Sequence, residues 1–244
     1  MNTSFSISEM LTQGWNTFKK HWKFIILAGI VTMVINFILR GAQNLAPHKG
    51  LVLAIIFTVV IIVISIIIKL GWTQVLLQLN RVDTATSSTF KTQPSVWLRY
   101  VKVCIWSFLY FIGYEVLITI PFIILIGIGF FAQVGWLTTL GAILSSTAFV
   151  VFAIYFSIRY QFLTYATLDY PELRSRAIFK KAGALTKGSL LHLFGFGVVL
   201  GLVNLLGLIC LVIGLAATIP TTRLAHARVY DYLKNKSTAP EVVS

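Results

Sequence analysis

Residues 51–70 read LVLAIIFTVVIIVISIIIKL, and the first charged residue in this stretch is Lys69. At a rise of about 1.5 Å per residue, twenty helical residues cover about 30 Å, which is the thickness of the hydrocarbon core of a membrane. A helix on the surface of a soluble protein would need a polar face, and this stretch has none. It therefore predicts a transmembrane helix.

Other stretches of the chain carry the same signal. The last apolar block, residues 190–224, is too long for one crossing, so we divide it near Gly207. The prediction is an all-α fold, a polytopic integral membrane helical bundle with six transmembrane helices in one domain over residues 1–234, followed by a disordered tail over 235–244. The predicted spans are residues 22–39, 51–70, 106–128, 137–158, 190–205 and 208–226.

The composition excludes a soluble protein. Hydrophobic residues make up 57% of the chain and charged residues 11%, with a mean hydropathy of +0.87, whereas soluble domains have about 25% charged residues. The formal net charge of +13 would indicate nucleic-acid binding in a soluble protein. In a membrane protein the same excess is typical of cytoplasmic loops, so we expect no nucleic-acid partner.

The distribution of the charges predicts the orientation. With both termini in the cytoplasm, 18 of the 20 lysines and arginines fall in inner segments, and only Arg40 and Lys49 lie outside. Such a bias is what orients membrane proteins during insertion. Trp15, Trp22 and Trp106 fall near the inner interface, where amphipathic rings are enriched.

Two inner segments are predicted to be amphipathic helices that lie in the plane of the membrane, residues 7–21 and 172–187. The apolar stripe of the first is Ile7, Leu11, Trp15, Phe18 and Trp22, and that of the second is Leu173, Ala177, Ile178, Ala182 and Leu185. A basic amphipathic helix suits an anionic membrane surface. The candidate contacts to anionic lipid headgroups are Lys19, Lys20, Arg174, Arg176, Lys180 and Lys181.

Glu115 is the one acidic residue that falls well inside a predicted span, about 13 Å beyond Trp106 along the helix. An intramembrane carboxylate is costly unless it is neutral, paired or facing water. Together with Pro121 and Arg159 it forms a candidate intramembrane polar site, because Pro121 is expected to kink its helix. Two readings stay open: a proton, cation or substrate site, with Arg159, Lys69, His192 or Tyr155 as partner, or a neutral glutamic acid hydrogen-bonded between helices.

Sequence motifs for catalysis or cofactor binding are not evident. The chain lacks a P-loop, a G-x-S-x-G nucleophile motif and an H-E-x-x-H zinc motif, and its histidines are scattered. Cys104 and Cys210 lie in apolar runs and are interpreted as small hydrophobic residues. We therefore expect no cofactor, no metal and no enzymatic activity, with a lipid-headgroup enzyme left open as an alternative.

Three segments resemble a broad group of bacterial six-helix integral membrane proteins related to the membrane domain of glycerophosphoryl diester phosphodiesterase. They are SISEMLTQGWNTFKKHW at residues 6–22, AIFKKAGALTKGSLLHLFGF at 177–196 and NLLGLICLVIGLAATIPTTRLAHARVYDYL at 204–233. The resemblance implies a compact helical bundle in the bacterial cytoplasmic membrane. It does not imply phosphodiesterase chemistry, which belongs to a separate soluble domain.

Two functional hypotheses follow. The first is a non-enzymatic membrane protein whose basic cytoplasmic face engages anionic lipids or a partner protein, a second copy of the chain included. The alternative is a transporter or permease for a small solute that uses Glu115 and the Pro121 kink.

Overall fold

The computed structural model describes residues 5–45 and 51–238. It is 89% helical, and no strand occurs among the described residues, so the all-α prediction is confirmed. Within those two ranges the helices are α1 Ile7–Leu45, α2 Leu51–Val82, a 3-10 helix Ser87–Phe90, α3 Pro94–Phe131, α4 Gly135–Tyr160, α5 Leu163–Asp169, α6 Ser175–Leu185, α7 Leu190–Ile209 and α8 Leu211–Thr238.

Five of these helices are long and apolar enough to cross a membrane: α1, α2, α3, α4 together with α5, and α7. The membrane character of the chain agrees with the sequence prediction. Helix α8 is not among the five, because polar and charged residues follow its short apolar beginning. The count of six crossings therefore stays a prediction.

Several boundaries differ from the predicted ones. Helix α3 begins at Pro94, twelve residues before the predicted span, because the polar segment ahead of Trp106 is helical as well. The turn between the last two helices falls at Cys210 rather than near Gly207. Helix α8 continues to Thr238, into the predicted tail, and residues 239–244 lie outside the described residues.

Helix α1 consists of two parts that meet at His21. The first turn is capped by Ser6, whose hydroxyl oxygen accepts the backbone N–H of Glu9 at 3.3 Å. At His21 the backbone leaves helical geometry, with φ −115° and ψ 20°. The break coincides with the predicted boundary between the amphipathic segment 7–21 and the span that begins at Trp22.

The chain divides into two compact units, Met1–Leu98 with Leu191–Ser244, and Arg99–Leu190. In the first unit the N-terminal part of α1 packs along the C-terminal part of α8, and α2 contacts both helices. Fully buried side chains of this unit include Ile25, Leu70, Phe196 and Tyr230. Its core is therefore built from helix ends, not from the apolar middles.

In the second unit α3 and α4 form an antiparallel hairpin, and α5 and α6 pack at the open end of that hairpin. Val103 of α3 and Ala166 of α5 lie in one buried cluster with Ile178 and Ala182 of α6. The apolar stripe predicted for α6 thus contacts protein. This corrects the expectation that it faces the membrane, because α3 and α5 already cover it.

The apolar segments themselves are exposed. In each of the five long helices, between 0% and 17% of the residues in the most apolar window are buried. Phe37, Phe131 and Leu191 are examples of large apolar side chains with almost no protein around them. So many exposed apolar side chains would be unfavourable in water, whereas they are favourable in contact with lipid chains.

Candidate functional site

Glu115 lies on the side of α3 that packs against α4. One turn earlier, the Phe111 ring lies 5.5 Å from Phe152 and 5.2 Å from Phe156. Further along, a Cβ added at Gly141 would lie 2.8 Å from the side chain of Ile126. Since the helices run antiparallel, the register between these contacts places Phe152 opposite Glu115.

The carboxylate of Glu115 has no hydrogen-bond partner among the described residues. Both of its oxygens are buried, and neither receives a hydrogen bond. Its backbone carbonyl accepts the hydroxyl of Thr119 at 2.8 Å. Of the four partners predicted from the sequence, Arg159 donates instead to the hydroxyl of Tyr155, which is itself another of the four.

The structure therefore does not bring Glu115 and Arg159 together. Arg159 lies seven residues beyond Phe152, about 10 Å further along α4. Its guanidinium group lies over the rings of Tyr155 and Tyr160, with 5.6 Å and 6.0 Å to the ring centroids. The distance between Glu115 and Arg159 depends on the register between α3 and α4, so residue spacing along one helix cannot predict it.

Pro121 does not interrupt α3, which continues as an α-helix to Phe131. Proline has no backbone N–H, so it cannot donate to the carbonyl of Leu117, four residues earlier. The predicted kink does not appear as a break in the helix. The local effect that remains is one carbonyl without its usual donor.

Three cations lie over half-exposed tryptophan rings. The Lys19 Nζ is 5.8 Å from the centroid of Trp15, the Lys23 Nζ is 5.7 Å from that of Trp22, and the Arg176 Cζ is 5.6 Å from that of Trp106. The three tryptophan residues are 42%, 47% and 37% exposed. Within the described part of the chain, none of these cations forms an ion pair.

The other predicted headgroup contacts have different surroundings. Lys20 pairs with Asp83, whose second carboxylate oxygen lies 2.8 Å from the ring of His21, so its charge is already compensated. Lys181 lies over the ring of Tyr170. Arg174 and Lys180 are exposed. The sequence did not single out Lys23, although its position beside Trp22 was a signal for it.

A polar network that sequence reasoning missed joins α1 to α8. Arg228 donates to the side-chain oxygen of Gln13 at 3.0 Å and to the hydroxyl of Thr17 at 2.8 Å. The amide nitrogen of Gln13 donates in turn to Glu9 at 3.0 Å. Gln13 and Thr17 are four residues apart and share one helical face, but their partner lies more than 200 residues away.

Burial lowers the pKa of the Arg228 guanidinium below its ordinary value, and the negative charge of Asp231 partly opposes this effect. Asp231 itself accepts the Nε–H of Arg81 at 3.0 Å, which ties α2 to α8. The N-terminal part of α1, the end of α2 and the C-terminal part of α8 are thus joined by polar and charged groups that are largely paired with one another. This arrangement ties α1, α2 and α8 to one another.

Across residues 5–45 and 51–238, no group of three or more His, Cys, Asp or Glu side chains could hold a metal ion. Cys104 and Cys210 are not joined in a disulfide. Comparison of the chain with family models, curated proteins and solved structures finds no match.

Proposed function

We propose that this chain is a non-enzymatic integral protein of the bacterial cytoplasmic membrane whose basic inner side engages anionic lipid headgroups. In this proposal it crosses the membrane six times with both termini inside, as the distribution of lysines and arginines predicts.

Contacts in the first unit support an even number of crossings. Phe5 contacts the ring of His192 at the start of α7, with 4.4 Å between centroids. Asn80, near the end of α2, donates to the carbonyl of Leu224 in α8 at 3.1 Å. Arg228 of α8 donates to Gln13 near the beginning of α1, which joins these two sets of contacts. Together they support a proposal in which the beginnings of α1 and α7 and the ends of α2 and α8 lie on one side of the membrane, with four crossings.

Contacts in the second unit support one further pair of crossings. Near the beginning of α3, the Tyr100 hydroxyl lies 3.4 Å from that of Thr164, just after α4. At the far end of the hairpin, a Cβ added at Gly129 would lie 2.6 Å from the backbone nitrogen of Thr138. Helices α3 and α4 thus leave one side and return to it.

The proposed binding of anionic lipid headgroups is based on three cation–tryptophan pairs. They are Lys19 with Trp15, Lys23 with Trp22, and Arg176 with Trp106. Each pair lies where the buried residues of its unit give way to the exposed apolar stretch of a helix. An amphipathic ring beside an unpaired cation matches the headgroup level of an anionic leaflet. Each such cation contributes roughly 1 kcal/mol of attraction.

Lipid selectivity in reconstituted membranes tests this proposal. Spin-labelled phosphatidylglycerol and phosphatidylcholine are compared by electron spin resonance in proteoliposomes at low and at physiological salt. We expect the motionally restricted fraction to be larger for phosphatidylglycerol and the preference to weaken as salt screens the charges. Equal fractions for the two lipids at low salt would contradict the proposal.

A matched pair of variants assigns the preference to the tryptophan-associated cations. The test variant carries Lys19→Gln, Lys23→Gln and Arg176→Gln. The control variant carries Arg40→Gln, Lys91→Gln and Lys187→Gln, which remove the same charge from exposed side chains that are not over tryptophan rings. We expect the preference to fall markedly in the first variant and much less in the second.

The second candidate function is proton-coupled transport of a small solute through the second unit. The observation in its favour is the buried carboxylate of Glu115, which has no hydrogen-bond partner in the described chain. Intramembrane carboxylates of this kind are typical of proton relays. Against it, aromatic rings of Phe111, Phe152 and Phe156 pack beside this position.

A proton-flux measurement distinguishes the two candidates. Proteoliposomes with a trapped pH-sensitive dye are given a potassium diffusion potential. Transport predicts acidification that requires the protein and is lost in Glu115→Gln. A rate equal to that of empty liposomes, or an equal rate in the variant, would rule out a role of Glu115 in proton movement.

A further inference from the structure

A groove of about 490 Å³ opens between α1 and α8 in the first unit. Its volume falls within the roughly 300–1,000 Å³ typical of small-ligand sites. It is lined by Phe18, Lys19, Trp22, Ile26, Ala216 and Ala217.

The groove has a structural cause. On one side of it, α1 and α8 touch closely at Gly14, where an added Cβ would lie 2.8 Å from the carbonyl oxygen of Thr221. Beyond that contact, α1 breaks at His21 and α8 contains Pro220. The α8 side of the groove is then formed by two alanines, which leave the space between the helices unfilled.

The lining is apolar except at one place. Five of the six lining side chains are aromatic or aliphatic, three on α1 and two on α8, and the single charged group is Lys19. Lys19 has a ring contact with Trp15 but no carboxylate partner within the described ranges. A ligand that fits must therefore combine a long apolar part with an anionic group.

We infer that this groove binds one anionic phospholipid, with an acyl chain along Phe18, Trp22 and Ile26 and its phosphate on Lys19. The inference rests on the proposed function and deepens it, since it names one bound lipid rather than a general attraction. A helix from a second copy of the chain fits less well, because it would bury the Lys19 ammonium without a compensating charge.

Native mass spectrometry of the delipidated full chain, titrated with phosphatidylglycerol or phosphatidylcholine in neutral detergent, tests this inference. We expect one phosphatidylglycerol to bind more tightly than the rest. Lys19→Gln should weaken it about fivefold, the effect of one surface cation, and leave phosphatidylcholine binding unchanged. Ala216→Phe should remove the tight site for both lipids, because the added ring occupies the groove.

Ala142→Phe is the control, since Ala142 is an exposed alanine of α4 and the substitution adds the same ring elsewhere. Because Ala216 is exposed too, the variant is expected to fold, which thermal unfolding verifies. The inference would be overturned if Ala216→Phe bound the lipid as tightly as the wild-type chain, or if the wild-type chain bound the two lipids equally. It would also be overturned if Ala216→Phe changed the protein from a dimer to a monomer and left lipid binding intact. If lipid binding is unchanged in Ala216→Phe but the reconstituted wild-type chain still prefers phosphatidylglycerol, only the groove inference is wrong. If the wild-type chain shows no such preference, the groove inference and the proposed function are both wrong.

Discussion

At the scale of single residues, Gly14 determines how closely α1 and α8 approach. An added Cβ there would lie 2.8 Å from the Thr221 carbonyl oxygen and 3.0 Å from the Ala225 nitrogen, and neither backbone atom can rotate away. We expect Gly14→Ala to destabilise the protein by about 1–3 kcal/mol, as overpacking does. Thermal unfolding in detergent, followed by circular dichroism, measures the change.

Gly29 is the matched control in the same helix, because nothing lies within 4 Å of a Cβ added there. Replacement of a helical glycine by alanine without a clash is favourable by roughly 0.5–1 kcal/mol. Gly29→Ala should therefore leave the unfolding temperature unchanged or raise it. Equal destabilisation by both substitutions would mean that the α1–α8 contact at Gly14 is not formed.

At the scale of the elements, α1 and α8 are held together by the Arg228 network. The planar guanidinium group donates to Gln13 and to Thr17 through two different nitrogens, which a lysine cannot reproduce. We expect Arg228→Lys to lower the free energy of unfolding by about 1–3 kcal/mol, the value of hydrogen bonds to a charged group. Arg174→Lys, at an exposed position, should have no measurable effect in the same unfolding assay.

The packing of α6 gives a second prediction at this scale. Ile178 is fully buried against α3 and α5, so Ile178→Ala should destabilise the protein by about 2–5 kcal/mol. If the apolar stripe of α6 instead lay on lipid, the loss would be small. The exposed Lys180→Ala is the control, and differential scanning fluorimetry in detergent separates the two cases.

The elements show which features the sequence can reveal. Apolar runs predict where α2 and α4 lie, because hydropathy is a local property. The division of α1 at His21 also follows from a local change in pattern. By contrast, the partners of Glu115 and Arg228 depend on the register between helices distant in sequence, so no local pattern predicts them. The apolar stripe of α6 indicated a buried face, but not whether lipid or protein covers it.

At the scale of the whole molecule, the position of the end of α8 decides the number of crossings. In a background with Cys104→Ser and Cys210→Ser, we expect Lys236→Cys to react with a membrane-impermeant maleimide only after the cells are permeabilised. Six crossings return this end to the cytoplasm, whereas five would leave it outside.

The native Cys210 provides the positive control for this experiment. It is exposed at the turn between α7 and α8, so in the wild-type chain it should react from outside intact cells. Labelling of residue 236 in intact cells would reject the six-crossing topology. It would also contradict the contacts that join α1 to the end of α8.

The break at His21 has a consequence for how the protein responds to its membrane. The part of α1 before the break packs against α8. In the part after the break, most of the side chains are exposed. Bilayers differ in thickness, and helices accommodate this hydrophobic mismatch mainly by tilting. The helical break at His21 allows the tilt of residues 22–45 to change while the N-terminal part of α1 keeps its contacts with α8. These contacts are therefore expected to be the same in membranes of different thickness.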